Sequence, residues 1–342
     1  MAYTIKDIAK ESGYAVSTVS RALNDHPDVS ETAKRRICEI VEAHNFIPNS
    51  NARQLKVQQS KDIAVVIKGT FNPFFASILE QMQNLIAMHG YTADVHYLDE
   101  GADEVFEGKQ ISKESKPLGI VFLGGNAYTF QESFHEITLP SVLVTTVSDQ
   151  FKFPNLSCVG VDDKIAFYQS ASFMLQKGHR KFAVLGGDLH SSYISELRFE
   201  GAVHAFREAG ITFQNDLYQK ANFTFGSGYR ATQRLLSRTK DFTCLLCMSD
   251  TQAIGAIRAL HEAGIRVPED VSVVGFDGIE LGDYCIPKLA TMRQPQSEIA
   301  RHSIHQLIAQ MEKDEEAQNI LLNASIVEGE SVRSISVSND CN

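Results

Sequence analysis

The chain has 342 residues, 43% of them hydrophobic and 22% charged, which is enough apolar material for a large core and for more than one domain. No stretch is long and apolar enough to span a bilayer, and the start MAYTIKDIAKES lacks the basic and apolar regions of a signal peptide, so we expect a cytoplasmic protein with no membrane partner. The net charge of −10 argues against a nucleic-acid partner for the chain as a whole, but residues 1–60 carry eight Lys and Arg against seven Asp and Glu, a net of +1, which leaves −11 on the rest.

The segment from Thr4 to Asn24 reads as a helix, a tight turn and a second helix. Thr4 can cap the first helix, and Asp7 three residues later completes the capping-box spacing. Gly13 stands where the chain must turn sharply, because glycine adopts left-handed backbone angles without steric cost. The helical spacing of the apolar residues predicts an inward face made of Ile5, Ile8, Ala9, Val19, Ala22 and Leu23.

The outer face of the second helix carries short hydrogen-bonding side chains and one guanidinium: Ser17, Thr18, Ser20 and Arg21. Such a face suits a helix that lies in the major groove of DNA. A third amphipathic helix follows from Ser30, with its predicted inward face formed by Ala33, Ile37, Ile40 and Val41. A helical bundle with no ligand has the same pattern, so the pattern alone leaves both interpretations open.

A polar connector runs from Phe46 to Asp62. Pro48 ends the third helix, and Asn49 can cap a short helix at residues 50–56. Such a helix is too short to be stable alone in water. The connector is therefore either a plain linker or a segment that becomes helical only against a partner.

From Lys61 onward, predicted strands alternate with predicted helices. The strands are Ile63–Ile67, Thr92–Tyr97, Gly119–Leu123, Val142–Val147, Phe182–Leu185, Cys244–Cys247, Val271–Gly275 and a closing strand Leu321–Glu328. The helices are at residues 75–86, 99–116, 166–177, 196–209, 252–263 and 297–311. The alternation comes in two runs, which predicts two α/β lobes with parallel sheets. In such sheets ligands bind at the carboxyl ends of the strands, here in the cleft between the lobes.

Polar and aromatic side chains follow several of these strands or lie on neighbouring segments. Carboxylate and guanidinium groups can hold the hydroxyls of a sugar, and phenyl rings can pack on its apolar face. Each residue also has an ordinary structural interpretation, because an Asp after a strand often caps the next helix and a Phe can be core. The candidates are Phe74, Phe75, Asn126, Thr146, Arg198, Phe223, Ser249, Asp277 and Gln294.

The exact amino-acid sequences of several segments are more specific than these patterns. TIKDIAKESG, VSTVSRALN and IPNSNARQL, in this order, resemble the DNA-binding headpiece and hinge of the lactose/galactose repressor (LacI/GalR-type) family of bacterial regulators. NPFF, RFEG, SDTQAIGAIRALHEAGIRVPEDVSVVGFD and LATMRQP resemble the regulatory core of that family, which is similar to periplasmic sugar-binding proteins. The resemblance covers essentially the whole chain.

The resemblance implies a hinge helix that forms on DNA beside its copy from a second subunit. Leu55 would insert into a minor-groove base step, and the small Ala52 would allow the two helices to approach closely. Together with the exposed face of the second helix, this predicts a DNA-binding set of Thr4, Val16, Ser17, Thr18, Ser20, Arg21, Asn24, Asn49, Ala52, Arg53 and Leu55.

The resemblance also assigns roles in the cleft. It implies that Arg198 and Asp277 bind effector hydroxyls and that Phe223 stacks on the ring. It places Phe74, Phe75 and Gln294 on the other lobe. Ser249 stands where many members have Asn, and Asp250 is expected to cap the helix that follows.

The headpiece departs from the family pattern at Tyr14 and Ala15, where a small β-branched residue and a Ser are usual. Ala15 cannot cap the second helix, which costs about 1 kcal/mol. Val16 and Ser17 occupy the pair that sets base choice in the family. Val16 can offer only apolar contact, for example to a thymine methyl group.

Other function classes require features that the sequence does not display. A sugar-processing enzyme would need a phosphate-binding glycine loop, a metal-ligand cluster or a nucleophile with its base, and a transport protein would need an export signal. Cys244 and Cys247 lie in an apolar run, which indicates a buried strand and not a redox or metal site. Within regulation, a corepressor or nucleobase ligand is the alternative to a sugar inducer.

We therefore predict an α/β protein with an all-α helix-turn-helix headpiece (residues 1–47), a hinge helix and linker (48–60) and a two-lobed periplasmic-binding-protein-like core of parallel sheets. The predicted N-lobe comprises residues 61–160 and 293–323, and the predicted C-lobe comprises residues 161–292 and 324–338. The predicted function is a homodimeric transcription regulator, a repressor, that binds palindromic double-stranded operator DNA under control of a small-molecule effector, a sugar or sugar derivative. No catalytic residue, cofactor or metal is predicted.

Overall fold

The computed structural model of the protein describes residues 4–23, 28–44, 61–69 and 72–335. The chain forms two structural units, residues 1–59 and residues 60–342. Within the described ranges, no helix combines the length and the apolar character needed to cross a membrane.

The described residues of the first unit, 4–23 and 28–44, form three helices: α1 (Ile5–Ser12), α2 (Val16–Leu23) and α3 (Glu31–Ala43). The Asp7 carboxylate accepts from the Thr4 backbone N–H at 2.9 Å, and Gly13 ends α1 with φ 76°, so the predicted cap and turn are confirmed. The apolar faces of the three helices form one small core of Ile8, Ala9, Val19, Ala22, Val29, Ala33, Ile37 and Ile40.

The second unit begins with a six-stranded sheet. Its strands are β1 (Asp62–Lys68), β2 (Thr92–Leu98), β3 (Gly119–Leu123), β4 (Ser141–Val144), β5 (Leu156–Val161) and β11 (Asn319–Leu322). They lie in the order β11-β5-β4-β3-β1-β2, all parallel, with Val65 in register with Val95 and Val121. Every residue of β3, β4 and β5 is buried, as expected for a parallel sheet covered on both faces.

The α-helices described in this lobe are α4 (Pro73–Met88), α5 (Glu104–Glu114), α6 (Ala127–Ser133) and α11 (Gln296–Lys313). α11 packs on α4 and on strands β3 to β5, although it is far from them in sequence. Its residues Ile299, Ile304 and Leu307 share a core with Ile78 and Met82 of α4.

A second six-stranded sheet forms the other lobe. Its strands are β6 (Phe182–Gly186), β7 (Tyr218–Lys220), β8 (Cys244–Cys247), β9 (Ser272–Asp277), β10 (Ala290–Arg293) and β12 (Ser325–Val327). They lie in the order β12-β10-β9-β8-β6-β7, parallel except for the antiparallel pair of β10 and β12. Its helices are α7 (Asp163–Gln176), α8 (Tyr193–Glu208), α9 (Phe225–Leu236) and α10 (Asp250–Glu262).

The chain passes between the two sheets three times: after β5, after β10 and after β11. The predicted closing strand Leu321–Glu328 is therefore wrong, because β11 and β12 belong to different sheets. The predicted strand Val142–Val147 is also too long. β4 ends at Val144 because Thr145 adopts a left-handed φ of 72°, which turns the chain out of the sheet.

Candidate functional site

A cleft of about 450 Å³ lies at the carboxyl ends of the strands of both sheets. This is the position at which open α/β sheets bind ligands, and the volume is within the usual range for small-molecule sites. Eight of the nine predicted effector residues line it: Phe74, Phe75, Asn126, Thr146, Arg198, Phe223, Asp277 and Gln294.

Arg198, in the first half of α8, is the most constrained of these residues. It is buried, and its Nε donates to Oδ1 of Asp163 at 2.8 Å. Its Nη1 donates to the carbonyl of Met248, just after β8, and its guanidinium carbon lies 3.7 Å from the centre of the Phe276 ring. Two of its five N–H groups are thereby held by this lobe, and the rest can serve a ligand.

The helix packing that places Asp163 beside Arg198 depends on Gly201. A Cβ at this position would lie 2.2 Å from the backbone oxygen of Lys164 and 2.9 Å from the backbone nitrogen of Tyr168, both on α7. α7 and α8 therefore approach as closely as they do because residue 201 has no side chain. The glycine of the RFEG motif thus positions the arginine of the same motif.

Gly201→Ala is expected to lower the free energy of unfolding by about 1–3 kcal/mol, because the two helices must separate to admit the methyl group. Urea unfolding of the purified variant measures this. The matched control is Gly226→Ala, since a Cβ there would meet only the flexible end of Arg230 at 3.2 Å. Equal stability of both variants and the parent would contradict the assigned role of Gly201.

Asp277 stands at the end of β9 with a left-handed φ of 108° and faces the same cleft. Burial raises the pKa of Asp277 to about 7, although the nearby Arg198 acts in the opposite direction. Gln294 Nε2 donates to Asp277 Oδ1 at 2.8 Å. Gln294 Oε1 is buried and has no hydrogen-bond partner among the described residues. A buried acceptor of this kind is costly unless a donor reaches it, and a ligand hydroxyl in the cleft can be that donor.

The first lobe contributes two aromatic rings and a hydroxyl group to the cleft. Phe74 is fully buried, and Phe75, half-buried, lies 5.7 Å from it between ring centres. Thr146 donates to the carbonyl of Gly125 at 3.0 Å, so its hydroxyl is already engaged. Phe223 supplies a second half-buried ring from the opposite lobe. The cleft thus places apolar rings on both sides of its polar groups.

Ser249 does not line the cleft. Its hydroxyl caps α10 by accepting from the Gln252 backbone N–H at 3.2 Å and lies 2.9 Å from Thr251 Oγ1. The placement of Ser249 among the effector residues is corrected on this ground. Asp250 does not cap the helix as expected, because its carboxylate accepts from the Ile279 backbone N–H and from Thr291 Oγ1.

Two ion pairs at the cleft were not predicted from the sequence. Lys68 Nζ lies 2.5 Å from Oε2 of the buried Glu104, and Lys220 Nζ lies 2.5 Å from Asp188 Oδ2. Lys68 and Lys220 are the last residues of β1 and β7, so the strand-end rule could have found Lys68. It could not have found Lys220, because the short β7 has no clear pattern in the sequence.

The two lobes touch each other at the edge of the cleft. Asn126 Nδ2, at the start of α6, donates to the Ser191 carbonyl at 2.8 Å. Tyr128 donates to Glu196 on α8, and its ring lies edge-on to Tyr193 with 5.6 Å between centres. The hydrogen bond to Glu196 raises the pKa of Tyr128 to about 12. These contacts hold the lobes together in the described arrangement.

The first unit presents the predicted outer face of α2. Val16, Ser17 and Arg21 are exposed, while Thr18 and Ser20 are half-buried. Ala15 precedes the helix and offers only its backbone carbonyl, which accepts from the N–H groups of Thr18 and Val19. The predicted DNA contacts Asn24, Asn49, Ala52, Arg53 and Leu55, and with them the hinge helix, lie outside the described residues.

Comparison with known proteins agrees with both halves of this architecture. Residues 4–49 match the model of bacterial regulatory proteins of the lacI family, and residues 171–332 match a periplasmic binding protein-like domain. The HTH-type transcriptional regulator MalR of Clostridium butyricum is 35% identical over 331 residues, which are 96% of this chain and 98% of that protein. The ribose operon repressor of Haemophilus influenzae is 28% identical over 333 residues, 97% of this chain and 99% of that protein.

Among solved structures, the lac repressor dimer bound to operator and the anti-inducer ONPF matches with a TM-score of 0.71 and 23% identity. The match covers 97% of this chain and 100% of that one, and it shows a shared fold. The headpiece, the two parallel-sheet lobes and the MalR relationship lead to one conclusion: this chain belongs to the lacI family of DNA-binding bacterial transcription regulators.

Proposed function

We propose that this protein is a homodimeric repressor that binds a near-palindromic operator and is controlled by a sugar or sugar derivative in the cleft. The cleft carries the effector part of the proposal. Arg198, Asp277 and Gln294 offer donors and acceptors in one place, with the Phe75 and Phe223 rings beside them. That mixture suits a polyhydroxylated ring with one apolar face. The similarity to a protein named ribose operon repressor supports a carbohydrate as the effector.

The DNA part of the proposal assigns the operator contacts to the exposed face of α2 and to the hinge. In this proposal residues 1–47 form the headpiece, residues 48–60 form the hinge and linker, and the two lobes follow. The charge distribution supports this division, because the body carries the negative charge that phosphate repels. A protein that binds operator DNA works in the bacterial cytoplasm.

The control mechanism follows from the contacts between the lobes. We infer two arrangements, one with the lobes close together and one with the lobes apart. A ligand that fills the cleft changes the free-energy difference between them, because it contacts both lobes at once. The Asn126–Ser191 and Tyr128–Glu196 contacts exist only when the lobes are close. Movement of the lobes then controls whether the two hinge helices of a dimer can pair.

A small apolar surface supports the dimer. Leu281, Tyr284 and Ile286, within and just after the short 3₁₀ helix Glu280–Tyr284, are 48%, 77% and 94% exposed. The three residues fall within six positions of the chain, and groups of exposed large side chains are typical of protein–protein contact sites. We name these three residues the apolar loop and assign it to the contact between two copies of the chain.

Thermal melting of the full-length protein tests the effector assignment. We expect glucose, ribose, maltose or cellobiose to raise the melting temperature, because a ligand that binds only the folded state stabilises it in proportion to its concentration and affinity. The increase should disappear in Asp277→Asn, which keeps the side-chain shape but removes the carboxylate. The exposed Asp241, paired with Lys181, provides the control Asp241→Asn.

A melting temperature that responds to purines and to none of the sugars would contradict the carbohydrate assignment. An increase that persists in Asp277→Asn would contradict binding of the ligand at the Asp277 carboxylate.

A further inference from the structure

We propose that the cleft selects uncharged sugars and discriminates against their phosphorylated and carboxylated counterparts. This inference rests on the proposed effector function and adds the charge class of the ligand. It follows from the pairing of the basic side chains of the cleft.

The described lining of the cleft contains three side-chain cations, Lys68, Arg198 and Lys220. Each already contacts a carboxylate within 2.8 Å, from Glu104, Asp163 and Asp188 respectively. Thr70 and Phe71, which lie between described residues of the lining, cannot add a cation because of their chemistry. An anionic ligand would therefore find no cation that is free of a carboxylate partner.

Carboxyl groups also line the cleft. They belong to Glu100, Asp188 and Asp277, while Glu104 and Asp163 contact Lys68 and Arg198 without lining the cleft themselves. The two buried pairs cannot release their cations cheaply. Glu104 is fully buried and also accepts from the Asn126 backbone N–H at 2.6 Å, and the Asp163 side chain is only 2% exposed. Opening either pair would leave a buried carboxylate without its counter-charge.

Arg198 has N–H groups left for a ligand, but the carboxyl group of Asp277 lines the same cleft. An anion that approaches the guanidinium also approaches this carboxylate. Hydroxyl groups meet no such conflict, because one hydroxyl can accept from Arg198 and donate to Asp277 or to the unpartnered Gln294 Oε1. The site is thus complementary to a neutral hydrogen-bonding ligand.

The Lys220–Asp188 pair is the most easily opened of the three ion pairs. Its side chains are 60% and 33% exposed, so the pair can open at less cost than the buried ones. Asp188→Asn frees the Lys220 ammonium and keeps the side-chain oxygen that accepts from the His190 backbone N–H at 3.0 Å. This variant should gain affinity for anionic sugars.

The test measures dissociation constants of the full-length protein for sugars matched in shape but not in charge. The probes are glucose with glucose 6-phosphate and glucuronate, galactose with galacturonate, ribose with ribose 5-phosphate, and maltose with its phosphate. For each neutral sugar that binds, we expect its anionic counterpart to bind at least about tenfold more weakly, which corresponds to an unfavourable charge contact of about 1.4 kcal/mol. Asp188→Asn should reduce this ratio, whereas Asp241→Asn, a surface change outside the cleft, should not.

Each result has a distinct meaning. An anionic sugar that binds as tightly as its neutral counterpart would overturn the inference and leave the proposed effector function standing. A ratio that Asp188→Asn does not reduce would also overturn it, because the selectivity would then not depend on the paired lysine. A panel in which no sugar binds would remove the proposed effector function, and the charge preference with it.

Discussion

Arg198→Met is expected to abolish the response to the effector and to lower the free energy of unfolding by about 3–5 kcal/mol, the usual cost of leaving one member of a buried ion pair alone. Asp163 would remain buried without its guanidinium partner 2.8 Å away. The cleft would also lose the cation that packs 3.7 Å from the centre of the Phe276 ring. Urea unfolding gives the stability, and melting with each sugar that stabilises the parent protein gives the binding.

The double variant Arg198→Met with Asp163→Asn separates binding from folding. Removal of the buried charge should recover part of the lost stability, but the sugar should still not bind. Arg258→Met serves as the control, because Arg258 forms an exposed pair with Glu262 on α10 and should leave both quantities unchanged. If the double variant binds the sugar with the affinity of the parent, Arg198 has no role in the site.

Tyr284→Asp is expected to convert the protein to a monomer and to weaken operator binding by at least about a hundredfold, since a dimer gains such factors by holding two headpieces on one duplex. The loss of operator affinity follows from the low charge of the headpiece as well as from the loss of the dimer contact. Residues 1–60 carry a net charge of only +1, so one headpiece has little electrostatic attraction for DNA by itself. Sedimentation velocity reports the oligomeric state, and titration of a symmetric operator selected from random DNA reports the affinity.

Ile165→Asp is the matched control for this prediction. Ile165 lies in the first turn of α7 and is 55% exposed, so an aspartate there adds the same charge on a different surface. It should leave the dimer and the operator affinity intact. A Tyr284→Asp protein that still sediments as a dimer would place the subunit contact on another surface.

The headpiece could be predicted almost completely from the sequence. Its buried residues recur with helical spacing, and Thr4, Asp7 and Gly13 mark the start and end of α1 through interactions within a few residues. Local geometry decides such features, so they do not depend on the rest of the fold. Many strands of the lobes could also be predicted, because fully buried parallel strands are short apolar runs. The buried strands β5 and β10 were not among the predicted ones.

The cleft was predictable as a location and only partly as a chemical site. The strand-end rule and the family resemblance together selected eight residues that line it, but they also selected Ser249, whose hydroxyl turns back to cap α10. A residue after a strand can point into the cleft or toward the next helix, and one sequence does not distinguish the two. The strand β7, which carries Lys220, has only three residues and no clear pattern. The helix α9, which follows Phe223, was not predicted, although its buried residues Gly228, Ala231, Thr232 and Leu235 recur at helical spacing.

The sequence by itself determined the family, the three-helix headpiece, the alternation of strands and helices and the edge at which the cleft forms. Each of these depends on hydrophobic periodicity, helix caps and sequence motifs within short segments. The tertiary structure decided which charges meet. Asp163 and Arg198 are separated by 35 positions and Lys68 and Glu104 by 36, and they pair only because particular helices and strands pack side by side, as Gly201 permits for α7 and α8. Only that packing fixes how many cations of the cleft remain for a ligand, and hence the charge of the ligand it can hold.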